Sequence, residues 1–363
     1  MMPQLLTRYA DILAAVDRVD ATAYARTRNY TDGAVSYLSP YISRGVISLP
    51  YVRERILSRY SRQQAYTFIF ELAWREYFQR QWYQLGDQLW SDIKGPQMGV
   101  AHHGVPDALI NGATGITAID TAIEQLYTTG YMHNHVRMYV ASIACNIGHA
   151  HWSQPARWLY YHLADHDLAS NTMSWQWVVG TFSAKKYYCD QGNINKYCHT
   201  QQRGTFLDVP YERLPDLAIP EILKAHSVPG LHTILPDTPA PQFYYDKPLL
   251  IYNACHLDPL WRADMDANRV LLLEPEHYRK YPVSPHVLSF ILRLAENIPG
   301  IQLFCGSIED LIRTGNFPQV YTRQHPTTLH YLGIKDEPDW LFPQVDKVPG
   351  SFMSYWKKCE KYL

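Results

Sequence analysis

Residues 152–177 combine carboxylate, amide and indole side chains within one short stretch. Two carboxylates, Asp165 and Asp167, are two residues apart, and the amide of Asn171 follows after one helical turn. Trp175 lies a further turn along the face that carries Asn171, because residues four apart on a helix are neighbours. One bound planar ligand can contact all four side chains. The grouping suits a buried flavin whose electrons move through tryptophans.

The two carboxylates also allow other interpretations. Asp165 and Asp167 are residues of the kind that hydrolases use as general acid and base, or that hold a metal ion. No additional ligand pattern accompanies them in the sequence. His149 and His151 are spaced like ligands, but alternate histidines are far more often ordinary hydrogen-bonded groups. We therefore predict no metal site.

The elements that position these side chains are predicted to be helices, which dominate residues 1–214. Apolar residues recur at helical spacing from Ile116 to Tyr127, and this run ends at Gly130. A second apolar helix follows, so the spacing predicts two packed helices with a tight connection. Residues 215–247 are rich in proline and lose this periodicity, which is typical of a linker.

Beyond the linker the pattern changes to short β runs that alternate with helices. The predicted strands lie at 249–252, 270–273, 301–304 and 320–321, and the predicted helices at 284–297 and 308–314. This pattern predicts a small α/β domain over residues 248–345, followed by a C-terminal helix or tail over residues 346–363. The fold class is therefore mainly α, with a large helical domain before a small α/β domain. No Gly-x-Gly-x-x-Gly loop accompanies the strands.

Composition and charge are those of a globular protein without a strong overall field. With 33 Lys and Arg against 34 Asp and Glu, a nucleic-acid partner has to be held by a local basic patch. Arg8 and Asp11 interrupt the N-terminal apolar run, and no apolar run is long enough to span a bilayer. We expect a cytoplasmic protein with no membrane partner. The 6 cysteines are scattered, which favours reduced thiols over a disulfide framework.

Five segments within residues 20–188 each have a plain structural interpretation when taken alone, such as a serine N-cap followed by proline or an amphipathic helix with an internal ion pair. The segments are Tyr24-Ala-Arg-Thr-Arg28, Ser36-Tyr-Leu-Ser-Pro-Tyr-Ile-Ser-Arg-Gly-Val-Ile-Ser48, Glu71-Leu-Ala-Trp-Arg-Glu76, Thr129-Gly-Tyr-Met-His-Asn-His-Val-Arg-Met138 and the segment 152–177. Their joint occurrence at fixed spacing resembles the FAD-binding helical domain of the DNA photolyase and cryptochrome family.

The resemblance implies that FAD is the cofactor. Arg137 is expected to pair with Asp165, since a buried carboxylate needs a cation or donors to stay ionised. Asp167 is expected to accept a hydrogen bond from the flavin N3–H, and Asn171 is expected to face N5. Hydroxyl groups at a helix start suit phosphate oxygens. The residues implied to bind FAD are Tyr24, Ser36, Tyr37, Leu38, Ser39, Phe68, Arg75, Asn134, Arg137, Asp165, Asp167 and Asn171.

The resemblance also implies an electron relay. Trp175 and Trp152 match the inner two members of the tryptophan relay that photoreduces the flavin in the family. No third tryptophan aligns near Gly99, so the relay is either truncated or continues through Trp158 or a tyrosine. The residues implied to be catalytic are Glu71, Trp74, Asn171, Trp175 and Trp152.

The implied substrate is DNA that contains pyrimidine dimers, in single or double strands. Family members that repair the (6-4) photoproduct use a histidine near the position of Met138, and its absence favours cyclobutane dimers. The residues implied to contact the substrate are Arg28, Glu71, Trp74, Met138 and Trp177.

Some departures from the family pattern leave other functions open. The family places an α/β antenna domain first, whereas this chain starts at the helical domain. Two segments of the C-terminal α/β region, residues 252–259 and 320–323, are faintly similar to that antenna domain. Tyr131 and His135 replace a usual tryptophan and a usual arginine. We predict light-driven repair, with a blue-light receptor that signals to a protein partner as the alternative, and a flavin-binding homologue with neither activity as a third interpretation.

Overall fold

The computed structural model describes residues 5–363, and residues 1–4, where the predicted helical domain begins, lie outside the described residues. The chain carries short 3-10 segments between many of its helices. The α-helices are α1 (Tyr9–Asp17), α2 (Ala21–Thr27), α3 (Ser39–Ser43), α4 (Leu49–Leu57), α5 (Arg62–Leu85), α6 (Asp107–Ile110), α7 (Thr117–Thr129), α8 (Asn134–Ala141), α9 (Ser153–His162), α10 (Leu168–Val179), α11 (Gln191–Cys198), α12 (Pro275–Lys280), α13 (Pro285–Ala295), α14 (Ile308–Arg313) and α15 (Phe352–Cys359).

The strands form one parallel sheet and one small antiparallel pair. The strands are β1 (Val105–Pro106), β2 (His226–Ser227), β3 (Leu249–Tyr252), β4 (Asn268–Leu273), β5 (Ile301–Cys305), β6 (Val320–Arg323) and β7 (Ile334–Asp336). The parallel sheet has the order β5-β4-β3-β6-β7, and β1 pairs with β2. Leu249 on the central strand lies opposite Asn268 on β4 and Val320 on β6.

The chain divides into two compact units, each built from separate stretches of sequence. The sheet unit contains the described residues up to Val19, residues 36–76 and residues 231–363. The helical unit contains residues 20–35 and 77–230. This division differs from the predicted domains 1–214, 215–247, 248–345 and 346–363, because α1, α3, α4 and the first part of α5 belong to the sheet unit. A helical pattern shows that one face is apolar, but not what that face packs against.

The core of the helical unit includes the two packed helices that the sequence predicted. Ile119, Ile123 and Leu126 of α7 are buried on one face. The helix ends at Gly130, whose φ of 69° is in the left-handed region that glycine adopts without strain. α8 begins four residues later and continues into a π-helical segment, Ser142–Ile147. The predicted pair of helices with a tight connection is therefore confirmed.

The sheet unit has the predicted alternation of strands and helices. β3 is buried along its whole length, as expected for the central strand of a parallel sheet covered on both faces. α13 presents a continuous apolar face that includes Val287, Ile291 and Leu294. The sequence did not predict α12 or the edge strand β7, which is short and polar.

The C-terminal residues form a helix that packs within the sheet unit. α15 begins after Ser351, whose side chain accepts a hydrogen bond from the Ser354 N–H. Phe352 and Trp356 on its buried face contact Phe70 of α5 edge to face, with ring centroids 4.9 and 5.1 Å away. The predicted helix or tail is thus a helix with its own aromatic contacts.

Further properties follow from the described residues. Each of the cysteines is a free thiol, as predicted. In residues 5–363 no helix has both the length and the apolar character needed to cross a bilayer, α5 being 24 residues long but polar on much of its surface. The same residues contain no group of three or more His, Cys, Asp or Glu side chains placed to hold a metal ion.

Candidate functional site

A buried ion pair lies in the helical unit. Arg137 of α8 donates from Nη2 to Oδ1 and Oδ2 of Asp165, at 3.0 and 2.9 Å. Its Nε donates to the carbonyl oxygen of Met132 at 2.8 Å, which fixes the plane of the guanidinium group. The Asp165 side chain is 5% exposed. The guanidinium group of Arg137 compensates the charge of this buried carboxylate.

Asp167 and Asn171 are positioned by the start of α10. Asp167 is the N-cap residue, and its Oδ1 accepts a hydrogen bond from the Ser170 N–H at 2.7 Å. Its Oδ2 accepts from the side-chain amide of Gln79, on α5. The Asn171 amide donates from Nδ2 to the carbonyl oxygen of Ala156 at 3.0 Å, so its orientation is fixed. The α10 start therefore holds a carboxylate and an amide one turn apart.

The polar groups at the start of α10 fit a flavin ring. Ser170 Oγ is buried and has no hydrogen-bond partner among residues 5–363, as expected of a group that pairs with a ligand. A carboxylate accepts from ring N–H groups, and an amide both donates and accepts. Asp165, Asp167 and Asn171 supply these groups within one unit.

His133 and Asn134 lie at the start of α8, close in sequence to Arg137. The His133 side chain is the N-cap and accepts a hydrogen bond from the His135 N–H at 3.2 Å. Burial, with smaller contributions from His135 and Arg137, lowers the pKa of His133 to about 4. The ring is therefore neutral at pH 7 and leaves Arg137 as the cation that pairs with Asp165. Asn134 is exposed.

The tryptophans of the implied relay are in the core of the helical unit. Trp175 on α10 is 2% exposed and Trp152, the residue before α9, is 3% exposed. The indole Nε1 of Trp152 donates to Oδ1 of Asp92 at 2.7 Å. Trp158 donates from Nε1 to the hydroxyl oxygen of Tyr127 at 3.2 Å.

The other implied site residues of the helical unit are nearer the surface. Trp177 is 37% exposed, and its ring lies 5.9 Å from that of Tyr187. Met138 is partly buried against the apolar core. The guanidinium group of Arg28 lies 6.0 Å from the centroid of the Tyr24 ring.

The remaining implied residues belong to the sheet unit. Ser39 is the first residue of α3, and Leu38 is its N-cap, so Ser39 is not a capping serine. Tyr37 has a φ of 53°, which is unusual for a residue with a side chain. Ser36 Oγ accepts a long hydrogen bond from the Leu38 N–H at 3.5 Å. Ser36 therefore precedes the left-handed backbone at Tyr37, and Ser39 follows it.

α5 carries four of the implied residues in the sheet unit. Phe68 is 3% exposed, and Glu71 is half-buried one turn later. Arg75 donates from Nη2 to Ser43 Oγ at 3.0 Å. The Trp74 ring stacks on the ring of Phe352 from α15, with centroids 3.6 Å apart and planes 15° apart. One face of Trp74 is thus covered by the C-terminal helix.

Glu76 connects α5 with the C-terminal residues through hydrogen bonds. Its side chain is fully buried. Its carboxylate accepts hydrogen bonds from the Leu341 N–H, from the Phe342 N–H at 3.1 Å, and from the Tyr355 hydroxyl group. This residue is part of the family-like Glu71–Glu76 segment, but its partners lie far away in the sequence.

Sequence reasoning missed Gln79, Asp92 and Phe352. The sequence contains a signal for Gln79, because this residue lies one turn after Arg75 on the same helix face and can therefore reach the same site. Asp92 and Phe352 carry none, because 60 residues separate Asp92 from Trp152 and no periodicity connects Phe352 with Trp74.

Comparisons with known proteins give a consistent result. A family model, the FAD binding domain of DNA photolyase, matches residues 68–208. A DASH cryptochrome from Danio rerio is 32% identical over 171 residues, which cover 43% of this chain and 32% of that protein. A deoxyribodipyrimidine photo-lyase from Streptomyces griseus is 32% identical over 162 residues, which cover 42% of this chain and 35% of that protein.

Similarity to solved structures is weaker. A cryptochrome from Synechocystis has a TM-score of 0.47 and 24% identity, and the match covers 53% of this chain and 44% of that one. The chain spans about a third of the length of the curated relatives it matches.

Proposed function

We propose that this chain, a member of the DNA photolyase and cryptochrome family by its match over residues 68–208, repairs cyclobutane pyrimidine dimers in DNA with light. The observation that supports this proposal best is the buried pair of Arg137 and Asp165 beside Asp167 and Asn171. Bound FAD supplies the absorption of light and one-electron chemistry.

In this proposal the helical unit holds the flavin ring. Asp165 and Arg137 form a fixed polar wall, Asp167 accepts a hydrogen bond from N3–H, and the Asn171 amide faces N5. Trp175 and Trp152 pass electrons inward when the flavin has to be reduced. The further FAD contacts are assigned to Tyr24, Ser36, Tyr37, Leu38, Ser39, Phe68, Arg75 and Asn134.

The substrate in this proposal is a pyrimidine dimer that has left the base stack of single- or double-stranded DNA. Bound reduced FAD would supply one electron to the dimer on illumination and would take it back after the two C–C bonds between the bases have broken. Glu71 hydrogen-bonds the dimer, and Trp74, Met138 and Trp177 pack against it. Arg28 contacts phosphate, as arginines commonly do.

A second function, blue-light reception without repair, is favoured by one observation. The face of Trp74 that stacks on Phe352 is not available to a base. α15 is held in place by the hydrogen bond from Tyr355 to the buried Glu76 carboxylate. With this contact in place the dimer lacks one of its apolar walls, which favours a signalling partner over DNA.

A repair assay distinguishes these functions. The protein with fully reduced FAD is mixed with single- and double-stranded oligonucleotides that contain a cyclobutane dimer, and the restored bases are measured in light and in darkness. Light-dependent restoration supports repair. No restoration with either substrate refutes repair and leaves the receptor function.

Two variants show whether the Trp74–Phe352 stack limits repair. Phe352→Ala uncovers Trp74, and Met353→Ala is the matched control, because Met353 is 55% exposed on the same helix. A higher repair rate in Phe352→Ala alone supports the receptor-like role of the stack. Equal rates in both variants show that α15 does not compete with the substrate.

The cofactor is checked separately. Denaturation of the purified protein followed by chromatography is expected to release FAD. Release of FMN alone, or of no flavin, contradicts both dimer repair and blue-light reception, because both functions depend on FAD.

Glu71 provides the last check of substrate contact. Glu71→Ala is expected to weaken dimer binding by about 1.5–3 kcal/mol, the range for a hydrogen bond to a charged group. FAD content is expected to stay unchanged. If the affinity for the dimer is unaltered in this variant, Glu71 does not contact the dimer.

A further inference from the structure

The indole N–H of Trp152 faces a carboxylate inside the helical unit. Nε1 of Trp152 lies 2.7 Å from Oδ1 of Asp92, and the ring is 3% exposed. The side chain of Asp92 is 20% exposed, and the same Oδ1 atom lies 3.7 Å from Nε2 of His151. A short charge-assisted bond of this kind joins a donor and a base directly.

The segment around Asp92 is fixed to the backbone at Trp152. Oδ2 of Asp92 accepts from the Gln97 N–H at 2.8 Å. The Gln97 side chain accepts from the Trp152 N–H at 2.9 Å and donates to the carbonyl oxygen of Ala150 at 2.8 Å. These bonds hold the carboxylate against the indole before any light is absorbed, so the acceptor is preorganised.

We propose that Asp92 is the proton acceptor that terminates the tryptophan relay at Trp152. This inference rests on the proposed function, in which Trp152 gives one electron, through Trp175, to the photoexcited oxidised isoalloxazine. An indole that has lost an electron is a much stronger acid than a neutral indole. The proton moves from Nε1 of Trp152 to Oδ1 of Asp92, which leaves a neutral tryptophan radical and a carboxylic acid.

The cycle closes with an external one-electron reductant such as a thiol. Trp152 takes one electron from that reductant and regains the proton from Asp92, so both residues return to their starting states. Until then, return of the electron from the isoalloxazine requires return of the proton as well, and the charge separation lasts longer. A base at Trp152 thereby prolongs the charge separation, as a third tryptophan farther from the flavin would do by increasing the distance between the charges.

A competing route to the surface passes through a tyrosine. Trp158 donates to the hydroxyl oxygen of Tyr127, which is 38% exposed. The Tyr127 hydroxyl group donates to the carbonyl oxygen of Ile110 at 2.6 Å. The Tyr127 hydroxyl group is thus hydrogen-bonded to a backbone carbonyl and not to a carboxylate, so Tyr127 lacks the fixed carboxylate acceptor that Trp152 has. Tyr127→Phe is therefore the control for Asp92→Asn.

Transient absorption spectroscopy of the FAD-loaded protein tests the proposal. Wild type and Tyr127→Phe are expected to form the neutral tryptophan radical. In Asp92→Asn, which keeps the shape but not the base, formation of the neutral radical is expected to slow about 100-fold, as for loss of a general base. Equal formation of the neutral radical in Asp92→Asn overturns the proposal, and so does a loss that appears in Tyr127→Phe instead.

The relay itself is tested in parallel, so the two failures are distinguishable. Trp175→Phe is expected to slow photoreduction of the flavin. If it does, and Asp92→Asn behaves as wild type, only the role of Asp92 is refuted. If Trp175→Phe leaves photoreduction unchanged, the relay is refuted, and the role of Asp92 falls with it.

A measurement on the flavin-free protein tests the hydrogen bond alone. In ¹H–¹⁵N spectra of the indole groups, the Trp152 resonance is assigned by its loss in Trp152→Phe. Asp92→Asn is expected to shift this resonance upfield, because the hydrogen bond to a charged oxygen is lost, while Tyr127→Phe leaves it in place. An unshifted Trp152 resonance in Asp92→Asn shows that the bond is not formed and overturns the proposal.

Discussion

Replacing Asp165 with asparagine is expected to destabilise the helical unit strongly. The substitution keeps the size of the side chain but removes the charge that Arg137 contacts with both hydrogen bonds. Removing one partner of a buried ion pair typically costs about 3–5 kcal/mol. The Arg137 side chain is 21% exposed and keeps its bond to Met132, which reduces the penalty of the remaining charge. We therefore expect the free energy of unfolding to fall by about 3 kcal/mol, which is the lower end of this range.

The measurement is chemical denaturation of the flavin-free protein, followed by circular dichroism. The matched control is Asp32→Asn, which breaks the pair of Asp32 with His199, where the side chains are 73% and 52% exposed. An exposed pair contributes less than about 1 kcal/mol. If Asp165→Asn lowers the free energy of unfolding no more than Asp32→Asn does, the buried pair does not stabilise the fold as argued.

Other expected outcomes concern stability, pH and electron transfer. Glu76→Gln places an amide among the donors that Glu76 accepts from, and is expected to cost about 1.5–3 kcal/mol in free energy of unfolding, measured by denaturation. Burial lowers the pKa of both His133 and His162 to about 4. In the unfolded chain these histidines take up protons near pH 6.5, whereas in the folded protein they do so only near pH 4. The free energy of unfolding is therefore expected to fall as the pH is lowered from about 6.5 to about 4, and each histidine contributes about 1.4 kcal/mol for each pH unit. A free energy of unfolding that stays constant over this range contradicts the burial of these rings. Trp175→Phe is expected to slow photoreduction by blue light while FAD stays bound, because the change nearly conserves volume.

Local patterns in the sequence predicted several of the elements correctly. The apolar period of α7 and the glycine that ends it are local signals, and the structure has both. The strands β3, β4, β5 and β6 were predicted from short apolar runs and lie at the predicted places. β7 was missed because an edge strand of Ile334–Asp336 carries little apolar pattern.

Contacts between distant residues were beyond local reasoning. Phe352 stacks on Trp74, and Leu341 donates to Glu76, but nothing in the residue types specifies either partner. The same holds for Asp92, which is one of many surface-near aspartates until the fold brings it to an indole. The division into compact units depends likewise on which faces pack together, and a local pattern does not contain that information.

The interleaved course of the chain constrains how the protein can be synthesised. Tyr9 donates from its backbone to Asn297, and Arg53 donates to the carbonyl oxygen of Leu341, in each case across 288 residues. During translation the early helices of the sheet unit must therefore wait, with apolar surface uncovered, until almost the whole chain has left the ribosome. Such delayed closure exposes a nascent chain to aggregation. The helical unit contains no residue beyond 230, so the chain needed for it leaves the ribosome first.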